Sequence, residues 1–246
     1  MSADVVLVVG ASSDIGLGLV RKLLATTDAT IVAHHHAGAG RLDPLRALAG
    51  GERVHPVGAD LGDLGAAKRL GVEVLERFGA PTQLVYLPGL KLRYERFTKF
   101  DLQHFDRDLD VQVRAAIVLL GPLLPRMSKM SRARVVFVLS SVTRGLPPKF
   151  MSMYTIVKHA QLGLMRALAS EYAGTGLTVN AVSPSMVDTR FLDDIPAIAK
   201  QMAADAAPGG RLSTPDDVVD AITSFLSADG DARTGVELPV PGGDGH

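Results

Sequence analysis

Seven short aliphatic runs, separated by stretches of helical periodicity, constrain this chain more than any other feature. The first, Val5-Val6-Leu7-Val8-Val9, is continuous and β-branched rather than alternating, so it predicts a strand buried on both faces. Only a sheet covered by helices on both sides hides both faces of such a strand, which implies parallel pairing. Further runs at residues 30–33, 53–57, 83–87, 134–139, 177–182 and 236–240 read as strands. Pro56 in the third suggests an interruption or an edge. Helical stretches alternate with them: one after Gly16, then 42–49, 63–78, 100–127, 153–173 and 215–226. Pro122 and Pro125 are expected to mark the end of the long fourth stretch. Thr214-Pro215-Asp216-Asp217 opens the last with an N-cap, a proline at the first position and acids on the dipole. No linker, repeat or low-complexity tract interrupts the pattern. The expectation is one doubly wound α/β domain over residues 1–246, a seven-stranded parallel Rossmann-like sheet with helices on both faces. Residues 188–213 form the one long insertion and suit a lid carrying a helix or two.

Composition removes several function classes. The 26 basic residues balance 26 acidic ones, which argues against nucleic-acid or membrane-surface binding, since both need a positive field. The chain has no cysteine, hence no disulfide, thiol nucleophile, iron–sulfur cluster or Cys-ligated zinc. No apolar run reaches the roughly 18 residues of a membrane span. Met1-Ser2-Ala3-Asp4 leads straight into the first strand without a basic head, so a cytoplasmic location is expected.

Two motifs carry chemistry. Gly10-Ala11-Ser12-Ser13-Asp14-Ile15-Gly16-Leu17-Gly18 lies where a strand ends and a helix begins. Glycines there let backbone approach a pyrophosphate, whose charge rests on the helix N-terminus. The second motif pairs Tyr154 with Lys158, four residues on and so on the same helix face, with Ser141 placed 13 residues before the tyrosine. A neighbouring ammonium favours a phenolate, and a hydroxyl at a carbonyl oxygen stabilises charge developing there.

Together these motifs resemble the short-chain dehydrogenase/reductase family, whose loop is Gly-x-x-x-Gly-x-Gly and whose signature is Ser…Tyr-x-x-x-Lys. The resemblance runs the length of the chain. It implies Tyr154 as general acid/base, Ser141 as the hydroxyl on the substrate oxygen, and Lys158 as ribose ligand and depressor of the tyrosine pKa. Gln112 aligns with the family's active-site asparagine and keeps an amide one methylene longer, so a relay through water is expected to survive with altered geometry. Cofactor contacts are implied for Gly10, Ser12, Ser13, Ile15 and Gly16 in the loop, and for Asp60 and Leu61 near the adenine. They are implied also for Leu87, Gly89, Pro184, Val187 and Thr189 around the nicotinamide. Four positions depart from the pattern: Asp14 replaces a glycine, Tyr86-Leu87-Pro88 replaces Asn-Asn-Ala, and Gln112 and Ser185 are the others. Asp14 either caps the helix with its carboxylate turned away or faces the phosphate and repels it.

An acid at the end of the second strand would hold the ribose hydroxyls of NAD. Here Ala33-His34-His35-His36-Ala37 follows with no acid until Asp43, while Arg41 could meet a 2′-phosphate, which favours NADP(H) with His34 and His35 at the ribose. Adjacent strand residues alternate faces, so three consecutive histidines do not converge on a metal. Apolar residues in 142–153 and 191–207 suit an apolar or extended substrate. Lys91, Arg93, Arg96 and Lys99 offer either a solvated loop or capture of an anionic handle. The pattern resembles 3-oxoacyl-carrier-protein reductases and secondary-metabolite ketoreductases, implying a ketone or alcohol substrate, whether or not a carrier-bound acyl chain. A non-redox isomerase, cyclase or dehydratase on the same scaffold, and a silent nucleotide-binding regulator, stay open as alternatives. Apolar surplus on the two long helices (Val111, Ala115, Val118 and Leu119; Leu162, Leu164, Met165 and Leu168) predicts a homodimer or homotetramer.

Overall fold

A computed structural model describes residues 4–193 and 195–242, so the N-terminal residues 1–3 and Asp194 of the expected lid lie outside the described residues. Seven parallel strands make one sheet: β1 (Val5–Val9), β2 (Thr30–His35), β3 (Val54–Gly58), β4 (Gln83–Tyr86), β5 (Ala133–Val138), β6 (Leu177–Pro184) and β7 (Glu237–Val240), in the order β3-β2-β1-β4-β5-β6-β7. Pro56 sits in the edge strand β3, where a missing ladder donor is tolerated. Every residue of β1, β4 and β5 is buried, as continuous apolar runs require. Strand order reverses between β1 and β4, and the crevice outside the carboxyl ends there is where open α/β sheets bind ligands.

Helices α1 (Asp14–Thr26), α2 (Asp43–Arg46) and α8 (Pro215–Leu226) cover one face of the sheet; α3 (Leu64–Phe78), α5 (Ala115–Met127) and α6 (Ser152–Glu171) cover the other. Leu19, Val20, Val218, Ile222 and Phe225 fill the first core; Leu70, Leu119, Leu123, Met165 and Phe137 fill the second. The Thr214 cap is present in full, since its side chain accepts from Asp217 N–H while the Asp217 side chain accepts from Thr214 N–H.

The stretch expected as one helix over 100–127 is three pieces. Helix α4 (Leu102–Leu109) passes through a π turn at Asp110–Arg114 into α5. Such single π turns often accompany functional sites, and here the wide turn holds Gln112 inside the protein. Helix α5 also continues through Pro122 and Pro125 and ends only at Met127. The expected helix over 42–49 shrinks to the single turn α2 flanked by 3₁₀ turns. Within 188–213 lie a 3₁₀ turn, Arg190–Leu192, and helix α7 (Ala197–Ala206). A third apolar cluster, Leu92, Val142, Met151, Leu192 and Ile195, binds this segment over the carboxyl ends of the strands.

Candidate active site

A cavity of about 730 Å³ opens at the carboxyl end of the sheet, and both sequence motifs border it. At one end β1 turns into α1. Gly10 adopts φ +85°, which glycine alone takes without strain, and a Cβ on Gly16 would stand 2.6 Å from the Gly10 carbonyl oxygen. The turn therefore presents bare backbone. Gly10, Ser12, Ser13 and Ile15 border the cavity, with Gly16 one layer behind. Backbone that close, at a helix N-terminus, fits the diphosphate of a dinucleotide.

The cap of α1 is Ser13, whose Oγ accepts from Gly16 N–H at 3.0 Å, so the capping role considered for Asp14 falls to its neighbour. The Asp14 carboxylate instead faces the cavity and is held by two cations. Arg41 Nη2 lies 2.6 Å from its Oδ1, and Arg190 donates its backbone N–H at 2.9 Å and its Nε at 3.2 Å. Burial would raise the Asp14 pKa, but the hydrogen bonds and charges of Arg41 and Arg190 outweigh it and hold it below the usual range. The repulsion expected from a bare carboxylate is thus largely answered from within the chain. Arg41, which also donates to the Ser12 carbonyl, does not itself border the cavity.

The histidine run splits three ways. His34, expected at the ribose, borders the cavity but has both nitrogens engaged: Gly10 N–H donates to Nδ1 at 3.1 Å, so the proton sits on Nε2 and is donated to the Ala59 carbonyl at 3.1 Å. Burial pushes its pKa down to about 4. It fastens the phosphate turn to the end of β3 rather than offering itself to a ligand. His35, also expected there, turns away to its neighbour's carbonyl and against Gly58, because side chains on a strand alternate. His36, which sequence reasoning did not single out, borders the cavity. Asp60 and Leu61 border it as expected, and Asp60 is already paired: Gly62 N–H and Arg107 Nη2 donate to it at 2.8 and 2.9 Å, lowering its pKa.

At the other end Tyr154 and Lys158, one turn apart on α6, border the cavity together with Leu87, Gly89, Pro184, Val187 and Thr189. Two consecutive serines, not one, border the cavity near Tyr154. Ser140 is buried and hydrogen-bonded to the Tyr154 hydroxyl, whereas Ser141, one residue on, is exposed at the cavity wall. Backbone φ −167°, ψ 154° at Ser140 continues the strand geometry, and Ser141 begins a 3₁₀ turn, so the two hydroxyls diverge.

Lys158 is buried and donates to Val138 O at 3.3 Å and Gln161 Oε1 at 2.9 Å. Burial lowers its pKa to about 7, opposed by the charge of Asp108. Its ammonium stands 5.7 Å from the Tyr154 ring centre, with its hydrogen bonds directed to Val138 and Gln161. Burial pushes the tyrosine up to about 12, against the hydrogen bond from Ser140, so Lys158 does not produce here the depressed pKa expected of it.

Gln112 also departs from expectation. Its side chain does not border the cavity; Nε2 donates to Asp108 Oδ1 at 2.7 Å, and its backbone carbonyl accepts from Gln161 Nε2 at 2.9 Å. Asp108, Gln161, Arg107 and Arg190 were missed because each sits on ordinary helix or loop sequence with no motif around it. Ser185 bonds Ser213 at 3.0 Å, where the substituted hydroxyl ties together the two ends of the 188–213 segment.

A family model described as enoyl-(acyl carrier protein) reductase matches residues 10–244. The chain is a short-chain dehydrogenase/reductase. It is 30% identical over 256 residues to 2-(R)-hydroxypropyl-CoM dehydrogenase of Xanthobacter autotrophicus, covering 97% of each chain. Among solved structures it resembles a short chain dehydrogenase from Burkholderia cenocepacia in complex with NADP, at TM-score 0.86 and 26% identity, covering 99% of this chain and 98% of that one. It resembles equally a 3-ketoacyl-(acyl-carrier-protein) reductase from Brucella melitensis complexed with NADH, at TM-score 0.85 and 26% identity over 96% of each. This short-chain dehydrogenase/reductase thus belongs to a family of oxidoreductases whose structures hold NADH or NADP. Among its described residues no helix is long and apolar enough to cross a membrane.

Proposed function

We propose that this protein is an NADP(H)-dependent reductase that converts a ketone to a secondary alcohol, with Tyr154 as general acid. The observation that carries the reading is Tyr154 beside Ser140 in the wall of one cavity that also contains the bare phosphate turn at Gly10. A nicotinamide bound there supplies the hydride. The chain supplies the rest. The Tyr154 pKa of about 12 keeps the phenol protonated at neutral pH, the form that can donate to an alkoxide developing on the substrate oxygen. Ser140 lies within hydrogen-bonding reach of that proton and takes the part the family assigns to the serine, with Ser141 at the wall beside it. Lys158 keeps its amine next to the ring, where it would hold the ribose of a bound dinucleotide and, when protonated, would favour the phenolate left after transfer.

Ser12, Ser13 and His36 border the phosphate end, and no acid lies among them except the neutralised Asp14, which supports NADP(H) over NAD(H). Gly10, Ile15, Gly16, Asp60, Leu61, Leu87, Gly89, Pro184, Val187 and Thr189 line or back the dinucleotide's path; Arg41 acts from behind Ser12, and His34 acts by holding Gly10. Leu92, Val142, Met151, Phe191 and Leu192 make an apolar wall that suits a β-ketoacyl or polyketide-like ketone. Of the basic stretch, Lys91 borders this cavity, and Arg93 is paired with Asp101 and Glu95. A panel of β-ketoacyl thioesters and simple ketones scored by NADPH absorbance tests the reading. Loss of NADPH with formation of the alcohol is expected; product formed at constant absorbance selects non-redox chemistry instead.

A further inference from the structure

The Lys158 side of Tyr154 ends in backbone. Lys158 donates to Gln161, Gln161 donates to the Gln112 carbonyl, and after Lys158 no member of that chain titrates. The opposite side differs. A second cavity of about 20 Å³ is bordered by Tyr154, Asp108 and His104, with Phe150 and Met153 as walls. That volume admits one water molecule. Asp108 is only 6% exposed, on the last turn of α4 just before the π turn. Its Oδ1 accepts from Gln112, the Leu90 N–H also donates to it, and its Oδ2 lies 3.4 Å from His104 Nε2. The His104 side chain is 20% exposed and reaches solvent. A carboxylate this buried and this close to an acid/base tyrosine needs a reason.

We propose that Asp108 and His104 carry the proton between solvent and Tyr154 through this small cavity. The inference rests on the reductase reading above. Once Tyr154 has given its proton to the substrate oxygen, the phenolate takes one from a water in the cavity. That water recovers a proton from the Asp108 carboxyl, Asp108 from the His104 imidazolium, and His104 from solvent. Only O–H and N–H bonds break and form, one of each per step, and nothing is oxidised. Burial holds the Asp108 pKa above the ordinary carboxylate value, against the hydrogen bond from Gln112 and the charges of His104 and Lys158, which favours the protonated carboxyl that the relay uses. Arg93, Glu95 and Asp101 stand at the outer rim, with Arg93 paired to both acids, and Lys91 borders both cavities. Asp108 and His104 are positioning and relay residues; neither borders the substrate cavity.

The test compares Asp108→Asn, Asp108→Glu and His104→Gln with the wild type, using NADPH and whichever ketone the wild type reduces. In D108N kcat is expected to fall about tenfold, while KM and NADPH affinity change less than about twofold. Imidazole buffer at fixed pH should restore part of the loss, and the wild type should show no such buffer dependence. D108E should retain most of the rate, and H104Q should show a smaller, rescuable loss. Tyrosinate absorbance, taken as the difference from Tyr154→Phe without cofactor, should titrate at lower pH in D108N because a negative neighbour is gone. Wild-type kcat in D108N, or a loss indifferent to buffer with the tyrosinate titration unmoved, overturns the relay alone. A wild type that reduces no ketone overturns the reductase reading, and the relay with it.

Discussion

Arg190, in the segment that roofs the cavity, donates twice to Asp14 in the phosphate turn, by its backbone N–H at 2.9 Å and its Nε at 3.2 Å. The same carboxylate takes Arg41 at 2.6 Å, so one acid holds two cations at the mouth of the dinucleotide path. A phosphate entering there competes with Asp14 for both. Asp14→Asn should therefore bind NADPH about three- to tenfold tighter, close to 1 kcal/mol, measured by titration calorimetry. Weaker binding in D14N would show that the carboxylate serves the site by holding the lid rather than by occupying it.

Arg41 stands behind Ser12 with no acid on the cavity side of β2. NADPH is expected to bind at least about tenfold tighter than NADH, or 1.4 kcal/mol. Arg41→Ala should bring the two affinities together mainly by weakening NADPH. Equal affinities in the wild type would refute the preference.

His34 makes stability pH-dependent. Unfolded, its imidazole takes a proton below its ordinary pKa of 6.5; folded, burial keeps it neutral down to about 4. Between those values the unfolded chain binds more protons, so stability falls as pH drops from 6.5 to 4 and this contribution levels off below. The loss is of the order of 3 kcal/mol. Urea unfolding at several pH values should show that slope, and His34→Gln should flatten it. An unchanged slope in the variant would assign the acid sensitivity to other groups.

The oligomer expected from α5 and α6 loses most of the residues first singled out, keeps half-buried Val118, Leu164 and Leu168, and gains two others. Val111, Ala115, Leu119, Leu162 and Met165 are spent in the core beneath the sheet, while Ile117 and Ile156 remain 51% and 46% exposed. Light scattering is expected to give a multiple of 26.0 kDa, and Ile117→Glu with Ile156→Glu should reduce it. A wild-type monomer at micromolar concentration would end the proposal.

The sheet was legible because its strands are buried on both faces and so write continuous aliphatic runs, as Val5–Val9 and residues 134–139 show. The Thr214–Pro215 cap was legible because capping is local chemistry. The π turn at Asp110–Arg114 was not, since one extra residue in a helical turn leaves apolar spacing almost unchanged. Motif spacing brought out Tyr154, Lys158 and Ser141, all of which border the cavity, but not Ser140 beside them. Where each of two consecutive serines points depends on where β5 stops pleating and the 3₁₀ turn starts, which the sequence does not reveal. His34 read as a ligand because its partners, Gly10 and Ala59, come from loops 24 and 25 residues away. Asp108 carries no motif in the sequence; what sets it apart is the turn after it, which folds Gln112 back onto it.

The proposed reduction requires proton donation by Tyr154, and Tyr154→Phe tests that most directly. The substitution removes one oxygen from a site whose dinucleotide end is formed by other residues. The variant should bind NADPH with affinity within about twofold of the wild type, while ketone-dependent NADPH consumption falls by about a thousandfold. Turnover at the wild-type rate in Tyr154→Phe, with NADPH still bound, would contradict the mechanism.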